Sequence, residues 1–224
     1  MRVALVLLGH FRTFDKTYSS WRKALEGCEY DVFCSTWDTI TSNTIAWHTA
    51  NPQYTQPYLT STQIELLREF DPDVTICHQD ISVDDIKNIT LDHTTKSHLY
   101  RYDALCKTLN RIDSSTYDII VVGRYDAYIN NILFKDIRIE TDEIQCSGSF
   151  FGSKFVREYA NTDMIYAFHP SKKNVFTNLL HIYEYAIKNN TLKYPEEVFT
   201  ELFYTYFTKV RFVWGHGDHF VIKR

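Results

Sequence analysis

Asp118-Ile119-Ile120-Val121-Val122-Gly123-Arg124-Tyr125-Asp126 is the stretch whose reading decides the fold. Its apolar residues do not alternate with polar ones, and such an unbroken run predicts a parallel strand covered on both faces. The run ends in charged residues. In open α/β sheets ligands bind beyond the carboxyl ends of the strands, so Arg124 and Asp126 stand where a site is expected.

Working outward, a second unbroken run, Val3-Ala4-Leu5-Val6-Leu7-Leu8, stops at Gly9. Residues 13–25 have helical spacing, with Gly27 as terminator, and 30–35 form the next strand, which ends at Thr36-Trp37-Asp38. Strand, helix, strand in this order favours a right-handed crossover and a parallel sheet. Residues 9–12 and 36–38 also follow strand ends, so three polar clusters are expected to converge on one sheet edge.

From 39 to 60 the chain is polar and interrupted by Pro52 and Pro57, which suggests a long loop or flap. A helix is expected over Ser61–Phe70 with Ser61 as its cap, then a short strand at 74–77 and a polar connection over 79–95. The clearest helix, 96–112, carries Leu99, Tyr102, Leu105, Cys106 and Leu109 at spacings of three and four. Beyond Asp126 the expected elements are strands at 132–139, 144–151, 163–168 and 210–214, and helices at 171–188 and from Pro195. Pro195 suits a first helical position, and Glu196-Glu197 complements the helix dipole. The tail reads Gly215-His216-Gly217-Asp218-His219. The fold class is therefore α/β: a Rossmann-related, mostly parallel central sheet flanked by helices, with a smaller region after it.

At 224 residues and 44% hydrophobic content the chain is long enough for one domain with a substantial core. A net charge of -4 and the lack of a basic stripe argue against nucleic acid as a partner. The five cysteines are scattered and never spaced C-x-x-C, which points to reduced thiols and a cytoplasmic setting. No run approaches the length of a membrane span, and the first apolar run is too short for a signal-peptide core. An aromatic content of 16% suits sugar and nucleotide contacts, although core packing is the plain alternative for each ring.

Taken together, Leu8-Gly9-His10-Phe11-Arg12-Thr13-Phe14, Ser35-Thr36-Trp37-Asp38 and Ile120-Val121-Val122-Gly123-Arg124-Tyr125-Asp126-Ala127 resemble the GT-A glycosyltransferases. The similarity is greatest to the small glycosyltransferase domains of large algal DNA viruses, the chloroviruses, and it spans essentially the whole chain. It implies a single domain over 1–224, with a nucleotide-binding half to about 126 and an acceptor-side half after it. It also implies a UDP-hexose donor, with UDP-glucose or UDP-L-rhamnose leading, and an oligosaccharide or glycoprotein acceptor. The protein would then work in the host cytoplasm, and the chain could be the first domain of a longer polypeptide.

The family signature is Asp-x-Asp, and here Arg124 replaces the first Asp. The resemblance implies that Asp126 coordinates Mn2+ or Mg2+ at the donor diphosphate, while Arg124 pairs with phosphate or orients a carboxylate. It also implies a second ligand from the tail, His216 first, with Asp218 or His219 as alternates. Gly9 and His10 would bring backbone amides to the nucleotide, Arg12 would supply phosphate charge, and Thr36 or Trp37 would meet the base. Arg101, on the helix leading to the metal strand, is a weaker nucleotide contact. Asp163 and Glu197 resemble positions that face sugar or acceptor, and the resemblance favours transfer with retention.

Plain alternatives stand beside each assignment: an ion pair at a strand end for Arg124 and Asp126, a surface charge for Arg12, a dipole-complementing residue for Glu197, a solvated tail for His216. Neither a P-loop nor a dinucleotide fingerprint is present, which weakens kinase and dehydrogenase readings. A metal-dependent nucleotidyltransferase and a sugar- or nucleotide-binding module without turnover remain as competing functions.

Overall fold

The computed structural model describes residues 1–9, 11, 14–38, 59–77, 93–151, 154–160, 165–189, 195–214 and 218–222; for 93–98, 149–151, 154–160 and 195–200 it describes the backbone alone. The sheet is built around β1 (Arg2–Leu8), which pairs in parallel with β2 (Glu29–Trp37) on one side and β4 (Ile119–Arg124) on the other. A short β3 (Thr75–Cys77) extends the parallel part beyond β2. Past β4 the sheet continues through β8 (Tyr166–Phe168), antiparallel to it, then β6 (Glu143–Phe151) and, parallel to β6, β9 (Lys209–Trp214). The far end of β6 pairs instead with β7 (Lys154–Ala160), with register shifts between Gly148 and Phe150.

Both apolar runs are unbroken because both faces are covered. Ala4, Val6 and Leu8 join Ile120 and Val122 in one buried cluster, while Val3, Leu5 and Leu7 join Ile119 and Val121 in another. The first cluster takes in residues of α3 (His93–Asn110), α4 (Lys173–Thr177), α5 (Leu179–Lys188) and α6 (Pro195–Tyr206). The second takes in α1 (Phe14–Ala24) and α2 (Ser61–Phe70). After α1 the chain turns back to β2 through Gly27 at φ +81°. The five cysteines are free thiols.

Several expectations need correction. The cap of α2 is Thr60, one residue earlier than Ser61: its hydroxyl accepts from Gln63 N (3.2 Å) while Gln63 Oε1 accepts from Thr60 N (3.0 Å), a reciprocal capping box. No strand forms over 132–139; a 3-10 turn at Phe134–Asp136 sits there, and Ile132 and Phe134 are buried in the α1-side cluster as irregular chain. The helix expected over 171–188 is broken at Asn178 into α4 and α5 and preceded by a 3-10 turn at Pro170–Lys172, capped by His169. The tail region contributes β10 (Phe220–Ile222), which pairs antiparallel with β5 (Ala127–Ile129). Residues 39–58 and 78–92, which hold most of the expected flap and of the second polar connection, lie outside the described residues.

Candidate functional site

The registers place three strand ends together. Leu8 lies opposite Ser35 of β2 and Arg124 of β4, so Gly9, Thr36 and Tyr125 stand side by side, with Thr36 still in β2 opposite Ile76 of β3. Gly9 adopts φ +117°, a conformation that strains any residue with a Cβ.

Tyr125 and Asp126 form a turn between β4 and β5, and the turn is held from beneath. Tyr125 is fully buried, edge-on to Phe11 (5.8 Å between ring centroids) and Phe14 (5.2 Å). Its hydroxyl lies near the Cys34 thiol; burial is the main reason both groups resist ionisation, and the thiol is pushed up to about 12. Helix α1 grips the turn on both sides: Thr17 Oγ1 donates to the Tyr125 carbonyl, and Ile129 N donates to Ser20 Oγ at 2.9 Å. Neither hydroxyl was singled out from the sequence. Their signal was a Thr and a Ser three residues apart on the face of α1 that carries Phe14, Trp21 and Ala24 to the core.

With Tyr125 fixed inward, its neighbours remain at the surface, and they meet. Arg124 Nε donates to Asp126 Oδ1 and Arg124 Nη2 to Asp126 Oδ2, each at 2.7 Å, a two-point fork between side chains 25% and 14% exposed. The fork fixes the rotamers of both groups. Arg101 lies on the α3 face, where its positive charge acts on Tyr166, the residue paired with Val122 two positions before Arg124.

The other expected contacts divide clearly. Thr36 is 1% exposed and its Oγ1 has no hydrogen-bond partner among the described residues, so it is a buried polar group at the strand end. Trp37 is buried, its ring in a small cluster with Cys77 and Ala104 and with Tyr100 against it. His10, Arg12, Asp163 and His216 lie outside the described residues, and of Glu197 only the backbone, in the first turn of α6, is described.

Asp218 is not brought to Asp126. Ile222 lies opposite Ala127 and Phe220 opposite Ile129, so β10 runs towards the turn at its far end and carries Asp218 away from it. The Asp218 carbonyl accepts from Asn131 Nδ2 at 3.2 Å.

Among the described residues no group of three His, Cys, Asp or Glu side chains is placed to hold a metal. Asp126 offers a carboxylate at the end of β4, and Asp38 follows directly on β2. That donor set fits a small hard dication of the Mg2+ kind, which is commonly held by one or two carboxylates with waters and substrate phosphates.

The sequence matches no protein-family model and no curated protein. The fold is similar to that of a solved structure, the apo form of the glycosyltransferase GlyE of Streptococcus pneumoniae TIGR4. The likeness has a TM-score of 0.51 at 10% identity and covers 93% of this chain but 44% of that one, so this chain spans less than half the length of its structural relative. The α/β architecture with its mostly parallel sheet is thus one that a glycosyltransferase uses. No described helix is long and apolar enough to cross a membrane.

Proposed function

We propose that the chain is a glycosyltransferase that moves a hexose from a nucleoside-diphosphate sugar to a hydroxyl of an oligosaccharide or glycoprotein. The observation that carries this reading is the Arg124–Asp126 pair at the carboxyl end of β4, set beside the ends of β1 and β2 at Gly9 and Thr36. The fold likeness to a glycosyltransferase adds to it. The donor is a UDP-hexose, UDP-glucose or UDP-L-rhamnose, bound by the first 126 residues.

In this reading Asp126 holds Mn2+ or Mg2+, with His216 of the tail as its second protein ligand. When bound, the cation neutralises the charge that builds on the leaving diphosphate. The chain's own residues do the positioning. Thr17 and Ser20 fix the turn, the fork aims the Asp126 carboxylate, and Arg124 turns its remaining N–H groups towards donor phosphate. Gly9, without a side chain, lets the nucleotide approach the backbone, joined there by His10 and Arg12. Transfer proceeds with retention, the leaving phosphate oxygen taking the acceptor proton, so Asp163 and Glu197 bind sugar and acceptor.

A second reading, a sugar- or nucleotide-binding module without turnover, is favoured by one observation: both Asp126 oxygens are already engaged by Arg124. Thermal unfolding and donor turnover with a panel of nucleoside diphosphates and their sugars, with and without Mn2+, separate the two. The expected result is a Tm rise with UDP that needs Mn2+ and disappears in Asp126→Ala, together with slow donor breakdown. Sugar binding without donor breakdown selects the module, and stabilisation by no nucleotide overturns the nucleotide-sugar assignment.

A further inference from the structure

A cavity of about 440 Å3 opens on the α1 side of the sheet, and none of its lining residues belongs to the Asp126 turn. Its polar lining comes from Asn131, Asp136, Arg138, Gln145, Arg211 and His219, with Val213 among the apolar contributors. The volume is within the roughly 300–1,000 Å3 of small-ligand sites. It has no role in the function proposed above.

Gln145 determines what the cavity can bind. It is 6% exposed, and its Nε2 donates to Arg138 O and to Glu143 Oε1, each at 2.9 Å. With the amide nitrogen held between two acceptors, oxygen and nitrogen cannot exchange places. Among the described residues its Oε1 has no hydrogen-bond partner, which leaves it as a fixed acceptor in the cavity wall. A ligand that meets this oxygen must bring a hydrogen-bond donor, which a fully ionised phosphate or carboxylate lacks.

The charges around the cavity point the same way. Arg211 pairs with Glu143 at 3.3 Å, and Glu143 also pairs with Lys209 at 3.3 Å. Arg138 is held by the carbonyls of Lys135 (2.8 Å) and Ile137 (2.9 Å), and Asp136 stands in the same wall. Asp136 and Arg138 stand in one wall, and Arg211 is drawn to Glu143 behind the other, so the lining presents both donors and acceptors. A ligand dense in hydroxyl groups, each both donor and acceptor, matches this arrangement.

We infer that this cavity is a binding site for a neutral saccharide, separate from the Asp126 turn and standing whether or not transfer occurs there. The test is saturation-transfer NMR on the full chain with maltose, lactose and cellobiose, without nucleotide or metal. The expected result is saturation of at least one of them, with affinity about tenfold weaker in Arg138→Ala and in Gln145→Met and unchanged in Asp126→Ala. Arg138 is exposed, so that variant decides the matter if Gln145→Met fails to fold. Three results overturn the inference: no saturation of any sugar, binding lost in Asp126→Ala but kept in Arg138→Ala, or displacement of the sugar by inorganic phosphate.

Discussion

Arg124 and Asp126 share one pair of hydrogen bonds, and that sharing sets the sign of what mutation should do. A guanidinium and a dication compete for the same carboxylate oxygens. Replacing Arg124 by Ala removes a positive charge from the carboxylate, so Mn2+ should bind the free protein more tightly in Arg124→Ala by calorimetry. Turnover should fall all the same, because the donor phosphates lose their arginine. Arg124→Lys should also lose turnover, since an ammonium cannot make the two-point contact. Weaker Mn2+ binding in Arg124→Ala would show that the arginine supports the metal site and does not compete with it. At this scale the sequence was informative about Asp126, because a carboxylate after a buried strand is a local pattern. It was silent on the fork, since a spacing of two residues gives no rotamer. The pairing that carries Asp218 past β5 was not legible because a tail has no local signal for it, nor was the burial of Trp37, because a Trp at a strand end reads the same whether a helix covers it or not.

The elements that hold the turn are β4 and α1, and they meet at Gly123. A Cβ there would stand 2.3 Å from Cη2 of Trp21, inside contact distance of a fully buried ring. Gly123→Ala should therefore push Trp21 out of place and lower the unfolding free energy by about 1–3 kcal/mol, read from urea titration. An unchanged midpoint would mean that α1 can shift freely, and the grip of Thr17 and Ser20 on the turn would be loose as well. Strands β1 and β4 were legible because burial on both faces leaves an uninterrupted apolar run. Strands β5, β7 and β10 were not: each is short or polar, and their pairings link distant parts of the chain. The apolar residues of 132–139 look like a strand pattern because Ile132 and Phe134 face the core, a burial that irregular chain achieves here without a ladder.

Across the whole molecule the two halves of the sheet differ in what holds them. The parallel half is apolar, whereas β6 and β9 start at a charged network in which Glu143, 1% exposed, receives hydrogen bonds from Gln145 and Arg211 and pairs with Lys209. Burial alone would raise the Glu143 carboxyl, but the hydrogen bonds from Gln145 and Lys209 outweigh it and hold the group below its ordinary value of 4.5. A carboxyl depressed in the folded state stabilises the fold above its unfolded value and loses that contribution as pH falls through the folded one. Urea midpoints should thus decline on acidification below about pH 4.5, and decline less in Glu143→Gln. Equal declines in both proteins would assign the acid sensitivity to other carboxylates.

The pairing of β10 with β5 also sets a timetable. On the ribosome, Asp126 and its turn emerge long before residues 220–222, yet among the described residues β5 pairs only with these, and Phe220 is fully buried once they arrive. The last support of the turn is added late in synthesis, so a nascent chain arrested before residue 220 would carry the α1-held turn with β5 still unpaired by β10.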